Sequence, residues 1–90
     1  MKERRWKPSP DIFYVVETRG VSLVNRKKRQ TISIPYPYAG LWGMIACGTY
    51  GRESTRRLMA LLLAVDEMEA EKRIIRTLEG WLNAGFLEIY

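Results

Sequence analysis

Asp11 to Thr18, Val21 to Asn25 and Thr31 to Ile34 are three short runs rich in β-branched, aromatic and aliphatic residues. Arg19-Gly20 divides the first from the second, the basic stretch Arg26-Lys27-Lys28-Arg29 divides the second from the third, and Pro35 and Pro37 close the series. Short runs of this composition bounded by turn residues read as strands, so the expectation is a three-stranded meander. In the third run Ile32 and Ile34 share one face and Thr31 and Ser33 the other, the pattern of a half-buried strand.

Beyond the prolines the period changes from two to nearly four. Leu41, Trp42 and Ile45, with Tyr38 one turn earlier, fall on one side of a short helix from Tyr38 to Cys47, which Gly48 ends. Gly40 and Gly43 are read as permitting close packing around Trp42. Ser54 is placed to cap a second helix reaching Val65, with Leu58, Leu61, Leu62 and Val65 as its core face. Asp66 with Glu69 three residues on has the form of a capping box and opens a third helix, from about Glu67 to Ala84, with Gly85 as its stop. Ile74, Ile75, Leu78, Trp81 and Leu82 form its apolar stripe. Phe86-Leu87-Glu88-Ile89 returns as an extended apolar tail able to pair or pack. The expected fold class is α+β: a three-stranded antiparallel sheet followed by a three-helix, winged-helix-like bundle.

Ninety residues suffice for one modest core and not for two. At 47% hydrophobic and 28% charged the chain has globular composition. Residues 1–10 are polar, basic and rich in proline, so they are expected to form a flexible arm, with Trp6 able to fold back, ahead of a domain at residues 11–90. No apolar run approaches the length of a membrane span, no signal-peptide pattern opens the chain, and the expected location is the cytoplasm. Cys47 has no partner for an intramolecular disulfide and reads as a small buried hydrophobe.

The chain contains no histidine and a single cysteine, which removes the commonest general base and the usual transition-metal ligand sets. Nucleophile-elbow and phosphate-loop motifs do not occur. Asp66, Glu67, Glu69 and Glu71 cluster, but acids in the first turn of a helix are explained by its macrodipole. The expectation is a protein that is not an enzyme and uses no cofactor and no metal. The net charge of +5 invites a nucleic-acid reading. It is concentrated in residues 1–10 and in Arg26 to Arg29, and the third helix opens on acids, which disfavours a DNA-recognition helix. Arg52, Arg56 and Arg57 at the start of the second helix keep a winged-helix DNA-binding regulator as the alternative.

A meander leaves its first and third strands at the edges, and Thr31 to Ile34 carries none of the charged side chains that commonly protect an edge. Such an edge can take an extended peptide as an added strand. Of the third helix, Met68, Lys72, Ile75 and Glu79 lie along one flank of the stripe and Ala70, Arg73, Thr77 and Ala84 along the other, and either could wall a groove beside that edge. Over about Asp11 to Ile89 the chain resembles PqqD-type domains, the recognition elements of ribosomally made, post-translationally modified peptide pathways. The resemblance rests on DIFYVVETRGVSLVNRKKRQTISIPYPYAGLWGMI and on the ending TLEGWLNAGFLEI. It implies binding of a precursor's leader peptide by strand addition to Thr31, Ile32, Ser33 and Ile34. Lys72, Ile75, Arg76 and Glu79 are the implied helix contacts. The implied partners are that leader and a modifying enzyme or leader peptidase of the same pathway, as with stand-alone members serving PQQ or lasso-peptide biosynthesis. Arg26 to Arg29 stands where the family commonly has a glycine-containing hairpin.

Overall fold

The computed structural model describes residues 5–90. The elements run β1 (Trp6–Pro8), β2 (Ile12–Glu17), β3 (Gly20–Asn25), β4 (Gln30–Pro35), α1 (Tyr38–Ala46), α2 (Arg52–Leu63), α3 (Glu67–Asn83) and β5 (Leu87–Ile89). β2, β3 and β4 form an antiparallel sheet in that order, so the third strand of the expected meander is β4. The architecture is α+β, with this sheet, three helices and a separate two-stranded sheet of β1 and β5.

That second sheet corrects the reading of residues 6–8 as an arm, while residues 1–4 lie outside the described residues. Trp6 pairs with Ile89 and Pro8 with Leu87. Ser9 N–H donates to Phe86 C=O at 3.1 Å, and Tyr90 N–H to Arg5 C=O at 2.9 Å. Trp6 packs against a core that holds Phe86 and Leu87, and that burial outweighs the polar composition around it. The terminal apolar tail thus pairs.

The inner face of the main sheet places Val21, Leu23 and Ile34 in the core beneath α1. Gly20 pairs with Pro35, and a Cβ at Gly20 would collide with the carbonyl of Ile34, so glycine lets β4 close on β3 at this end. At the other end Asn25 is buried. Its Oδ1 accepts the Lys28 N–H at 3.1 Å, and its Nδ2 donates to Gly85 C=O at 3.5 Å. The four-residue turn closes without glycine because Arg29 adopts φ 51°, a left-handed conformation that costs a non-glycine residue about 1–2 kcal/mol.

In α1, Leu41 and Trp42 are fully buried, and Trp42 meets Trp81 of α3 edge-to-face at 5.6 Å. Gly40 and Gly43 do not serve that packing: an added Cβ at either has no neighbour within 4 Å. Gly40→Ala and Gly43→Ala are therefore expected each to stabilise the domain by about 0.5–1 kcal/mol, read as a rise in the midpoint of denaturant unfolding. Cys47 is exposed, contrary to its reading as buried, because it caps the helix where the chain leaves the core.

The expected core face of α2 is also corrected. Thr55, Met59 and Ala60 are buried, whereas Leu58, Leu61 and Leu62 are exposed, Leu61 to 80%. Both faces carry apolar residues at helical spacing, so periodicity does not choose between them. Ion pairs to α3 accompany the observed choice: Arg52 Nε lies 2.9 Å from Glu71 and Arg56 Nε 3.1 Å from Glu67. The N-cap is Gly51, with Ser54 inside the first turn donating its hydroxyl to Gly51 C=O at 3.4 Å.

Asp66 caps α3 as its spacing predicts, its carboxylate accepting the Glu69 N–H at 2.7 Å. Gly85 at φ 84° ends the helix in a Schellman arrangement, with Phe86 N–H on Trp81 C=O at 2.8 Å and Gly85 N–H on Leu82 C=O at 3.1 Å. Ala70, Ile74, Leu78 and Trp81 form its buried stripe. Ile75 lies outside that stripe at 46% exposure. No helix among the described residues is long and apolar enough to cross a membrane.

Candidate peptide-binding edge

Which backbone groups β4 offers to a partner follows from ladder parity. Tyr36 N–H donates to Arg19 C=O at 3.3 Å, which makes residues 19 and 36 a hydrogen-bonded pair in the β3–β4 register. Hydrogen-bonded pairs alternate along an antiparallel ladder. Ile34 and Ile32 therefore bond inward to Val21 and Leu23, while the amides and carbonyls of Thr31 and Ser33 point outward. The four strand residues thus divide in two. Thr31 and Ser33 are exposed and carry the outward backbone groups, whereas Ile34 is buried in the core and Ile32 packs half-buried against it. Pro35 carries no N–H and ends the row of donors.

Lys72, Ile75, Arg76 and Glu79 of α3 are all exposed. Glu67 and Glu71 turn toward α2, and at 100° per residue Ile75 falls beside Glu71 on that side of the helix. The opposite flank, with Ala70 buried and Arg73, Thr77 and Ala84 half-buried, faces away from α2. β4 packs on β3 and α1, and α3 on α2 and β5. The two halves of the expected site are joined through the shared core, which holds Ile34 together with Ile74 and Leu78. Among the described residues no hydrogen bond or ion pair links the four exposed α3 side chains to β4.

Arg26 to Arg29 is exposed throughout, and two of its side chains have partners. Lys28 Nζ donates to Ala84 C=O at 3.4 Å, at the negative end of the α3 dipole, and the Arg26 guanidinium lies 4.9 Å from the centroid of Phe13. Among the described residues no three His, Cys, Asp or Glu side chains are grouped to hold a metal ion. Trp42 Nε1 is buried with no hydrogen-bond partner.

The absence of charge marks β4 in the sequence and does not mark β2. Phe13, Tyr14, Val15 and Val16 are all exposed there, Val16 to 69%. The signal lay in four consecutive apolar residues without polar alternation, which an ordinary solvated edge strand does not show.

A scan against family models finds no match, and searches of curated proteins and of solved structures find none either.

Proposed function

We propose that this chain is a cytoplasmic peptide-binding module of PqqD type. It takes the leader segment of a ribosomally made precursor as an added strand along β4 and presents it to a modifying enzyme or leader peptidase. In this reading it is a carrier and not a catalyst, and a winged-helix-like bundle supports the sheet. The observation that carries the reading is the β4 edge, where Thr31 and Ser33 direct backbone donors and acceptors outward from a strand without charged side chains. Ile75 and the aliphatic stem of Lys72 supply apolar contact on α3, with Arg76 and Glu79 at its rim.

The DNA-binding alternative loses support from the same geometry. Arg52 and Arg56, the basic start of α2, are engaged with Glu71 and Glu67, and α3 opens on Asp66, Glu67 and Glu69. Salt titration separates the two readings. With a peptide selected on the protein from a random-sequence display library, affinity is expected to fall by no more than severalfold between low and moderate salt. A protein held by six to ten DNA phosphates loses about 10³–10⁵ in affinity between about 50 and 200 mM salt. A steep loss for the peptide, or tight salt-sensitive binding of a DNA duplex, contradicts the proposal.

A further inference from the structure

We infer that β2 is a self-association edge, pairing antiparallel with β2 of a second copy of this chain about a two-fold axis through Val15. Ladder parity again identifies the available groups. Arg26 N–H donates to Asp11 C=O at 3.0 Å in the β2–β3 register, so Phe13, Val15 and Glu17 bond to β3 and the backbone groups of Ile12, Tyr14 and Val16 point outward. The Ile12 N–H is already donated to Ser9 C=O at 3.1 Å. Tyr14 and Val16 remain, each with one donor and one acceptor.

A two-fold axis through Val15 sets Tyr14 opposite Val16 of the second copy and Val16 opposite its Tyr14. That satisfies all four outward groups of Tyr14 and Val16 on each strand, leaves the Ile12 C=O at the margin of the joint, and does not need the Ile12 N–H. An axis through Tyr14 would need that N–H and would set Asp11 opposite Glu17. With the axis at Val15, the side-chain rows from Phe13 to Glu17 are complementary. On the inner face the exposed Tyr14 and Val16 form aromatic and β-branched cross-strand pairs, the kind that stabilises sheets. On the outer face Val15 meets Val15, and Asp11 and Arg19, in the turns flanking β2, bring opposite charges to the ends of the joint. Phe13, with the Arg26 guanidinium over its ring, lies opposite Glu17. One oxygen of that carboxylate accepts the Ser22 hydroxyl at 2.5 Å, and the other is available to Arg26.

The contact is isologous and closed, because it uses up the β2 edge of both copies. It yields a continuous six-stranded sheet with a β4 strand at each outer margin, so association leaves the β4 edges open. Room exists under the joint because α1 packs on β3 and β4, leaving Val16 the most exposed apolar residue of the inner face.

Sedimentation equilibrium of the full chain across the micromolar range tests this, with a dimer of twice the 10.5 kDa chain mass expected. Val15→Lys sets two ammonium groups opposite each other and is expected to halve the mass to that of a monomer with an unchanged circular dichroism spectrum. An independent readout is Val15→Cys in a Cys47→Ser background. Non-hydrogen-bonded partners lie about 4.5 Å apart between Cα atoms, within disulfide reach, so oxidation is expected to link the two copies. The native chain, with the exposed Cys47 as its single thiol, is the control and is expected to cross-link far more slowly. A chain that stays monomeric, a dimer that survives Val15→Lys, or a Val15→Cys variant that cross-links no faster than the control overturns the inference.

Discussion

Ser33→Pro is expected to leave the domain folded and to weaken peptide binding by roughly ten- to hundredfold. The outward N–H of Ser33 takes no part in the β3–β4 ladder, so removing it costs the free protein little, and proline is tolerated on edge strands at such positions. In the complex the loss leaves a peptide carbonyl without its donor between two strands, a penalty of about 1–3 kcal/mol, and each 1.4 kcal/mol is a factor of about ten. Ile34→Pro is the opposing control. It removes an inward ladder donor and a core side chain together, and it is expected to unfold the domain or nearly so. Isothermal titration calorimetry with the selected peptide gives the first quantity and urea denaturation the second. Unchanged affinity in a folded Ser33→Pro variant would remove β4 from the binding site.

The second large effect belongs to Trp42. It is fully buried and bridges the layers, lying 6.1 Å from Tyr14 of β2 and 5.6 Å from Trp81 of α3, both edge-to-face. Trp42→Ala is expected to cost about 3–5 kcal/mol, a large share of the roughly 5–15 kcal/mol that holds a domain together. Trp42→Phe should cost much less than the lost ring area implies. It also deletes the indole N–H that is buried without a partner, and an unsatisfied buried donor costs about 1–3 kcal/mol. Urea midpoints of the two variants measure the difference, and a Trp42→Phe loss as large as its lost ring area implies would mean that the indole N–H is satisfied in solution.

Local chemistry made much of the fold readable. Gly20, Pro35, Asp66 and Gly85 each act within a few residues of their own position, and each marks a boundary that the structure keeps to within one or two residues. The β1–β5 pair was not readable because its partners lie at opposite ends of the chain and its first strand is short, basic and proline-containing. The rotation of α2 has a different cause: two apolar faces compete at the same spacing, and the buried choice comes with cross-helix pairs such as Arg56 with Glu67, which periodicity does not see. The candidate edge was readable as a composition, an uncharged third strand. Its division into outward Thr31 and Ser33 and inward Ile32 and Ile34 required the register. The same register identifies Tyr14 and Val16 on β2, which strand propensity alone does not single out.

Amide hydrogen exchange, resolved by residue with and without saturating peptide, tests strand addition most directly. In the free protein Ile32 and Ile34 should be protected and Thr31 and Ser33 should exchange quickly, because only the first pair bonds to β3. Peptide should slow Thr31 and Ser33 to the rates of their neighbours while leaving Ile32 and Ile34 unchanged. Protection that appears on Tyr14 and Val16, or on α3 alone, with Thr31 and Ser33 still fast, would contradict binding at β4.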